Sequence, residues 1–179
     1  MSPVRLSLPV DPSTDHLLGP PDAPVTLVEY GDYQCSYCGR AAVALREIRA
    51  RLQGRICLVF RNLPLIDVHP RAEHAALAAE AAARQDRFWP MHDLLYAHQD
   101  ALADEDLDRY AAQLGLDLDR FRVDTSPSAE VAAKLQRDAE SALESGVSGT
   151  PSFFVNGSAY DGDYDADSLG AVLATAAST

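Results

Sequence analysis

Residues 25–33, VTLVEYGDY, open with an apolar, β-branched and aromatic run broken by one carboxylate. Residues 55–65, RICLVFRNLPL, contain a second such run. Continuous apolar stretches of this length and composition read as strands buried on both faces. Gly31 and Asp32 begin to break the first strand, and Pro64 ends the second. Between them, CGRAAVALREIRARL spaces Ala41, Ala42, Leu45, Ile48 and Leu52 as one face of a helix, with Gly54 placed to close it.

From Asp67 to Ser145 the pattern becomes helical throughout. The stretches RAEHAALAAEAAARQ, FWPMHDLLYAHQDAL and DEDLDRYAAQLGL predict three helices, the last stopping at Gly115. A fourth, SPSAEVAAKLQRDAESALESG, opens with Ser126 as N-cap and Pro127 at the first helical position, and ends at Gly146. PSFFVNGSAYDGDYD predicts a hairpin, SFFV and a strand through Tyr160 joined by Asn-Gly. DADSLGAVLATAA predicts a closing helix. Residues 1–24 are rich in proline and read as an extended arm in which VRLSLPV adds an edge strand. A strand–helix–strand opening calls for a parallel pair with a right-handed crossover, and the terminal hairpin adds antiparallel strands. The class is α/β, with helices on both faces of a mixed sheet.

At 179 residues the chain is long enough for one domain with a proper core. A net charge of -12 argues against nucleic acid and against an anionic membrane surface as partners. No apolar run is long enough to span a bilayer. The first 24 residues hold one arginine and no unbroken apolar core, so they do not read as a secretory signal, and the expected compartment is the cytoplasm.

Three cysteines are too few for a disulfide scaffold. Cys35 falls at the junction of the first strand and its helix, where unpaired N–H groups and the macrodipole stabilise the negative charge of a thiolate. Cys38 lies one turn further on. Position alone makes Cys35 the exposed nucleophile and Cys38 the more buried resolving thiol, the two parts that thiol–disulfide exchange requires. Two other readings compete. A zinc site needs four ligands and usually a second close pair. Cys57, inside ICLVF, is a small core residue, and His16, His69, His74, His92 and His98 show no paired ligand spacing. Inert core cysteines are the blandest alternative. The sequence favours redox chemistry, with no metal and no cofactor.

The motifs VEYGDYQCSYCGRA, FRNLPL and GVSGTPSFFVNG, in this order around a helical block, resemble the DsbA-like branch of the thioredoxin superfamily. The likeness is greatest to cytoplasmic DsbA-like proteins and to the thioredoxin-like domain fused to some sodium/proton antiporters, and it runs from about Leu18 to the last helix. It implies a thioredoxin fold over residues 25–66 and 146–179, an inserted helical subdomain over 67–145 and an arm over 1–24. By resemblance Cys35 is the attacking cysteine and Cys38 the resolving one. Thr150–Pro151 matches the loop whose proline is cis in the family, where the backbone of Thr150 would hold a substrate strand. Glu29 matches the buried acid beneath the disulfide. Its place within VTLVEY makes the charged form expensive, so its pKa is expected to rise and suit it to accept the proton of Cys38; the blander alternative is a carboxylate on the exposed end of the strand with no role.

Ser36–Tyr37, between the cysteines, departs from relatives that carry proline first and histidine or tyrosine second. Without a positive charge there, the couple is expected to be less oxidising than that of the periplasmic oxidants. Of Tyr30, Tyr33, Tyr37 and Phe154, candidates for an apolar rim around a peptide, Tyr30 and Phe154 read as core. Arg61 reads as a solvated charge, His69 as a cap or packing residue, and Trp89 as core of the insertion. Protein or peptide thiols and disulfides are the expected partners, with glutathione or a thioredoxin-type reductant as electron partner. The competing functions are a redox-sensing or partner-binding module with little turnover, and a glutathione-dependent transferase or isomerase, against which Cys38 counts.

Overall fold

The computed structural model describes residues 4–126 and 129–178. Its elements run β1 (His16–Leu18), β2 (Val25–Gly31), α1 (Ser36–Arg51), β3 (Ile56–Asn62), α2 (Ala72–Ala83), α3 (Phe88–Ala97), α4 (Asp104–Gln113), α5 (Leu118–Thr125), α6 (Ala129–Glu144), β4 (Ser152–Val155), β5 (Ser158–Tyr160) and α7 (Ser168–Ala176). They fall into two compact units. One comprises Met1–Gly31, Arg40–Arg61 and Glu140–Thr179, the other Asp32–Gly39 and Asn62–Ala139.

The first unit is built on one five-stranded mixed sheet in the order β1-β3-β2-β4-β5. The apolar runs take its centre: every residue of β3 is buried, and all of β2 except Thr26. Buried on both faces, they need no polar alternation. β2 pairs antiparallel with β4 in a register that sets Glu29 opposite Phe153 and Tyr30 opposite Ser152. The β4–β5 hairpin turns at Asn156 and Gly157, both at positive φ (48° and 77°), as Asn-Gly predicts. The Asn156 side chain also accepts from the Thr26 amide at 2.8 Å, locking the hairpin to β2. α7 lies against α1, and a Cβ at Gly170 would already be in van der Waals contact with Ile48.

The expected edge strand is displaced. Among residues 4–10 the pairing is an isolated bridge between Arg5 and Ser158, flanked by backbone bonds from Leu6 N to Gly157 O and from Ala159 N to Val4 O. The strand of the arm is β1, antiparallel to β3 at the opposite edge. Gly19 follows it at φ 118°, where a Cβ would stand 2.3 Å from the Ile56 carbonyl oxygen.

Arg61 is not a solvated charge; it is fully buried. Its Nε and Nη2 clamp the two Asp15 carboxylate oxygens at 3.0 and 2.9 Å. Nη1 donates to the Tyr30 hydroxyl at 3.0 Å and to Leu8 O at 3.1 Å, and Nη2 to Pro9 O at 3.2 Å. The Tyr30 hydroxyl also shares a hydrogen bond with the Ser141 hydroxyl at 2.8 Å. The guanidinium thus replaces the missing ladder as the anchor of the arm. Arg61→Met is expected to destabilise the fold by at least about 3 kcal/mol, since it strands a buried carboxylate and two carbonyls. A denaturant midpoint unchanged from wild type would contradict this.

The second unit holds α2–α5 and most of α6 around the alanine-rich face of α2. Asn62 enters it with its amide N–H on Asp138 Oδ2 (3.0 Å) and its side chain on Glu80 Oε1 (2.7 Å). The eight-residue α5 has no counterpart among the helices predicted from the sequence. Ser126 closes α5, its hydroxyl donating to Arg122 O at 3.3 Å. Pro127 lies outside the described residues.

Candidate active site

Asp32 organises the backbone that carries the cysteines. Its backbone carbonyl accepts from the Cys35 amide at 3.1 Å, closing a turn after β2. Its side-chain Oδ1 accepts from the amides of Gln34 (2.7 Å) and Cys35 (3.2 Å), an Asx turn. Oδ2 accepts from the Leu65 amide and from His69 Nδ1, both at 2.8 Å. Four N–H donors converge on one fully buried carboxylate. Ser36 is then the first residue of α1, so Cys35 stands immediately before the helix.

Gln99 holds the same turn from the helical side. Its Nε2 donates to the carbonyls of Tyr33 and Cys35, both at 2.8 Å. A Cβ at Gly39 would lie 2.1 Å from Gln99 Oε1, so a larger residue there would have to displace the Gln99 side chain. Gln34 Oε1 accepts from the Arg71 amide at 2.7 Å. Tyr33 is buried, with its hydroxyl 3.1 Å from His92 Nδ1 and its ring tilted on Tyr96 at 4.9 Å. The segment Asp32–Gly39 is therefore held by hydrogen bonds and ring contacts from residues 65–99.

Cys35, Cys38 and Cys57 are thiols here. Both active-site thiols are buried, Cys38 fully and Cys35 at 4% exposure, so Cys35 is not the exposed thiol its position led us to expect. Ser36 and Tyr37 are exposed, Tyr37 by 56%. Of the four aromatic rim candidates only Tyr37 faces solvent; Tyr30, Tyr33 and Phe154 are core. Trp89 is half-buried, edge-on to Phe88 and His92. Cys57 sits inside β3, where burial pushes its thiol up.

In the other unit Glu29 is 1% exposed. Its Oε1 has no hydrogen-bond partner, and burial pushes the carboxyl from near 4.5 to about 8. The Thr150–Pro151 peptide is cis, Pro151 is half-buried, and the following Ser152 hydroxyl donates to Gly149 O at 2.8 Å. Among the described residues no group of three or more His, Cys, Asp or Glu side chains is arranged to hold a metal ion.

A family model described as Thioredoxin matches residues 11–175. The chain belongs to the thioredoxin family. Its sequence is 51% identical over 173 residues, 97% of the chain, to the Na(+)/H(+) antiporter NhaA 3 of Salinispora tropica. The chain spans only 26% of that relative's length, about a quarter, as expected of a thioredoxin-like domain fused to a transporter. Among solved structures it resembles a thioredoxin-like oxidoreductase from Silicibacter pomeroyi, at TM-score 0.83 and 29% identity over 94% of this chain and 95% of that one. It also superposes on oxidised BdbD from Bacillus subtilis at TM-score 0.83, with 22% identity over 99% and 98% of the two chains. The thioredoxin-family fold read from the motifs is the fold observed. The chain is thus placed with the thiol–disulfide oxidoreductases at the level of the superfamily.

The sequence reading missed Asp32 and Gln99 and gave His69 no partner. Asp32 had a local signal, an Asx-forming residue between a strand and a helix. The clamps from His69 and Gln99 had none, since each closes across more than 30 residues of chain.

Proposed function

We propose that this protein is a thiol–disulfide oxidoreductase acting on protein or peptide substrates through Cys35 and Cys38. The observation that carries this reading is the C-x-x-C pair at the first turn of α1, its leading cysteine placed just before the helix by a fully bonded turn. In the reductive direction the Cys35 thiolate attacks one sulfur of a substrate disulfide. A mixed disulfide forms and the other substrate sulfur leaves as a thiolate. The Cys38 thiolate then attacks Cys35 Sγ, forming the Cys35–Cys38 disulfide and releasing the reduced substrate. The oxidative direction is the reverse. Glu29, titrating near neutrality, supplies a proton-exchanging group. The backbone of Thr150, before Pro151, pairs with an extended substrate strand, and Ser36 and exposed Tyr37 meet the substrate around its sulfur.

The test is a trapping experiment. Cys38→Ser, mixed with a disulfide-bonded peptide, is expected to accumulate a covalent adduct through Cys35 that dithiothreitol releases. An adduct through Cys57, or none at all, would refute the assignment.

A second reading rests on the relatives named as antiporters. In it the same pair is a redox sensor that reports to an attached or partner transporter. It predicts reversible oxidation of Cys35–Cys38 with poor turnover on generic disulfides.

A further inference from the structure

The Asp32 carboxylate is the group that the proposed exchange chemistry leaves unexplained. It is fully buried and immediately precedes the reactive segment, and its partners come from two separated parts of the chain. Three of its donors are neutral backbone amides, of Gln34, Cys35 and Leu65. The fourth, His69 Nδ1, is among the described residues the one side-chain donor on it and the one able to carry a charge; the His69 side chain is about a quarter exposed. A purely structural turn could be closed by the neutral hydroxyl of serine. An aspartate closes it while placing an anion beside the cysteine whose thiolate the helix start favours.

We propose that Asp32 and His69 form a positioning pair that sets the poise of the Cys35–Cys38 couple. The inference rests on the thiol–disulfide reading above and adds the element that tunes it. The two partners act in opposite senses. The Asp32 carboxylate takes the Cys35 amide and opposes a second negative charge on Cys35, which favours the disulfide over the reduced dithiol state. His69, by donating to Oδ2, draws charge away from the side of the carboxylate that faces the turn and relieves part of that opposition. The reaction that reads the balance is the exchange of the Cys35–Cys38 disulfide with two molecules of glutathione. It yields the dithiol and one molecule of glutathione disulfide, two electrons passing from glutathione to the protein. Any change that eases a thiolate at Cys35 moves this equilibrium toward the dithiol.

The experiment is a titration of purified wild type, Asp32→Asn, His69→Ala and His69→Asn against defined ratios of reduced to oxidised glutathione, with the fold of each checked by circular dichroism. Asp32→Asn removes the charge and keeps an oxygen for the Gln34 and Cys35 amides. Its equilibrium is expected to move toward the dithiol by at least about threefold. His69→Ala removes the donor and is expected to move it the opposite way. His69→Asn puts an amide nitrogen where Nδ1 stands and is expected to return it to wild type. Opposite signs with rescue are a signature that simple loosening of the turn does not give, because loosening shifts both variants alike. Shifts of the same sign, or none, would overturn the inference. If Asp32→Asn fails to fold, the two His69 variants decide it: His69→Ala and His69→Asn indistinguishable from each other would overturn it as well. Failure of the underlying reading looks different: wild type itself then does not equilibrate with glutathione as a single two-thiol couple.

Discussion

Cys35→Ser is expected to abolish thiol–disulfide turnover, lowering insulin reduction or dithiol oxidation to the uncatalysed rate while leaving the fold intact. The substitution changes one buried atom. A hydroxyl of similar size takes the place of the thiol, and the turn that presents it is held by backbone amides, backbone carbonyls and the side chains of Asp32 and Gln99, none of which depends on sulfur. The chemistry depends on it entirely. A serine oxygen forms no disulfide, and its hydroxyl stays protonated at the pH where a thiol ionises. Cys57 offers no substitute nucleophile, because it is 1% exposed within β3 and its burial disfavours the thiolate. Cys57→Ala is therefore expected to keep its turnover, and the two variants together separate the reactive thiol from the packing one. Full activity in Cys35→Ser, with an unchanged denaturation midpoint, would remove Cys35 from the mechanism.

The features legible in the sequence share a property: their causes are local. The runs VTLVEY and ICLVF fix two central strands because they are dominated by apolar, β-branched and aromatic residues with Glu29 the one charge, and Asn-Gly fixes a hairpin because its backbone tolerates positive φ. The cysteine pair is legible for the same reason, as a spacing and a place between strand and helix. What the sequence misassigned or left silent depends on distant partners. Arg61 resembles any charge at a strand end, and only Asp15, 46 residues earlier, makes it a buried anchor. His69 resembles any histidine before a proline until Asp32 is seen to face it. The three-residue β1 and the eight-residue α5 are too short for periodicity to register. The side chains that hold the turn, Asp32, His69 and Gln99, are accordingly the least legible, since the turn is held from several directions at once.

Glu29 makes stability fall as pH rises, against the usual behaviour of a carboxylate. A salt-bridged or hydrogen-bonded acid has its pKa lowered by folding and stabilises the fold above its unfolded value. Glu29 is the reverse case. Its carboxyl is buried in β2 opposite Phe153 with an oxygen that accepts nothing, and desolvation raises it from near 4.5 to about 8. The folded state thus binds a proton that the unfolded state has released. The stability this confers is fully present below about pH 4.5 and is lost as pH climbs through about 8. At about 1.4 kcal/mol per pH unit across that window, the loss amounts to about 4–5 kcal/mol. Glu29→Gln keeps the shape and removes the proton. Its amide gains an unsatisfied donor, a cost of about 1–3 kcal/mol that does not vary with pH. The variant is therefore expected to be no more stable than wild type in acid and clearly more stable above pH 8, the two curves crossing as the carboxyl ionises. Urea midpoints of both proteins at intervals from pH 5 to 9 measure the difference, and subtraction cancels every other titrating group. Parallel curves would mean that Glu29 ionises normally in the fold. That result would also end its candidacy as a proton-exchanging group near neutrality, because the same burial that destabilises the charged form is what brings its titration into the working range of a thiol.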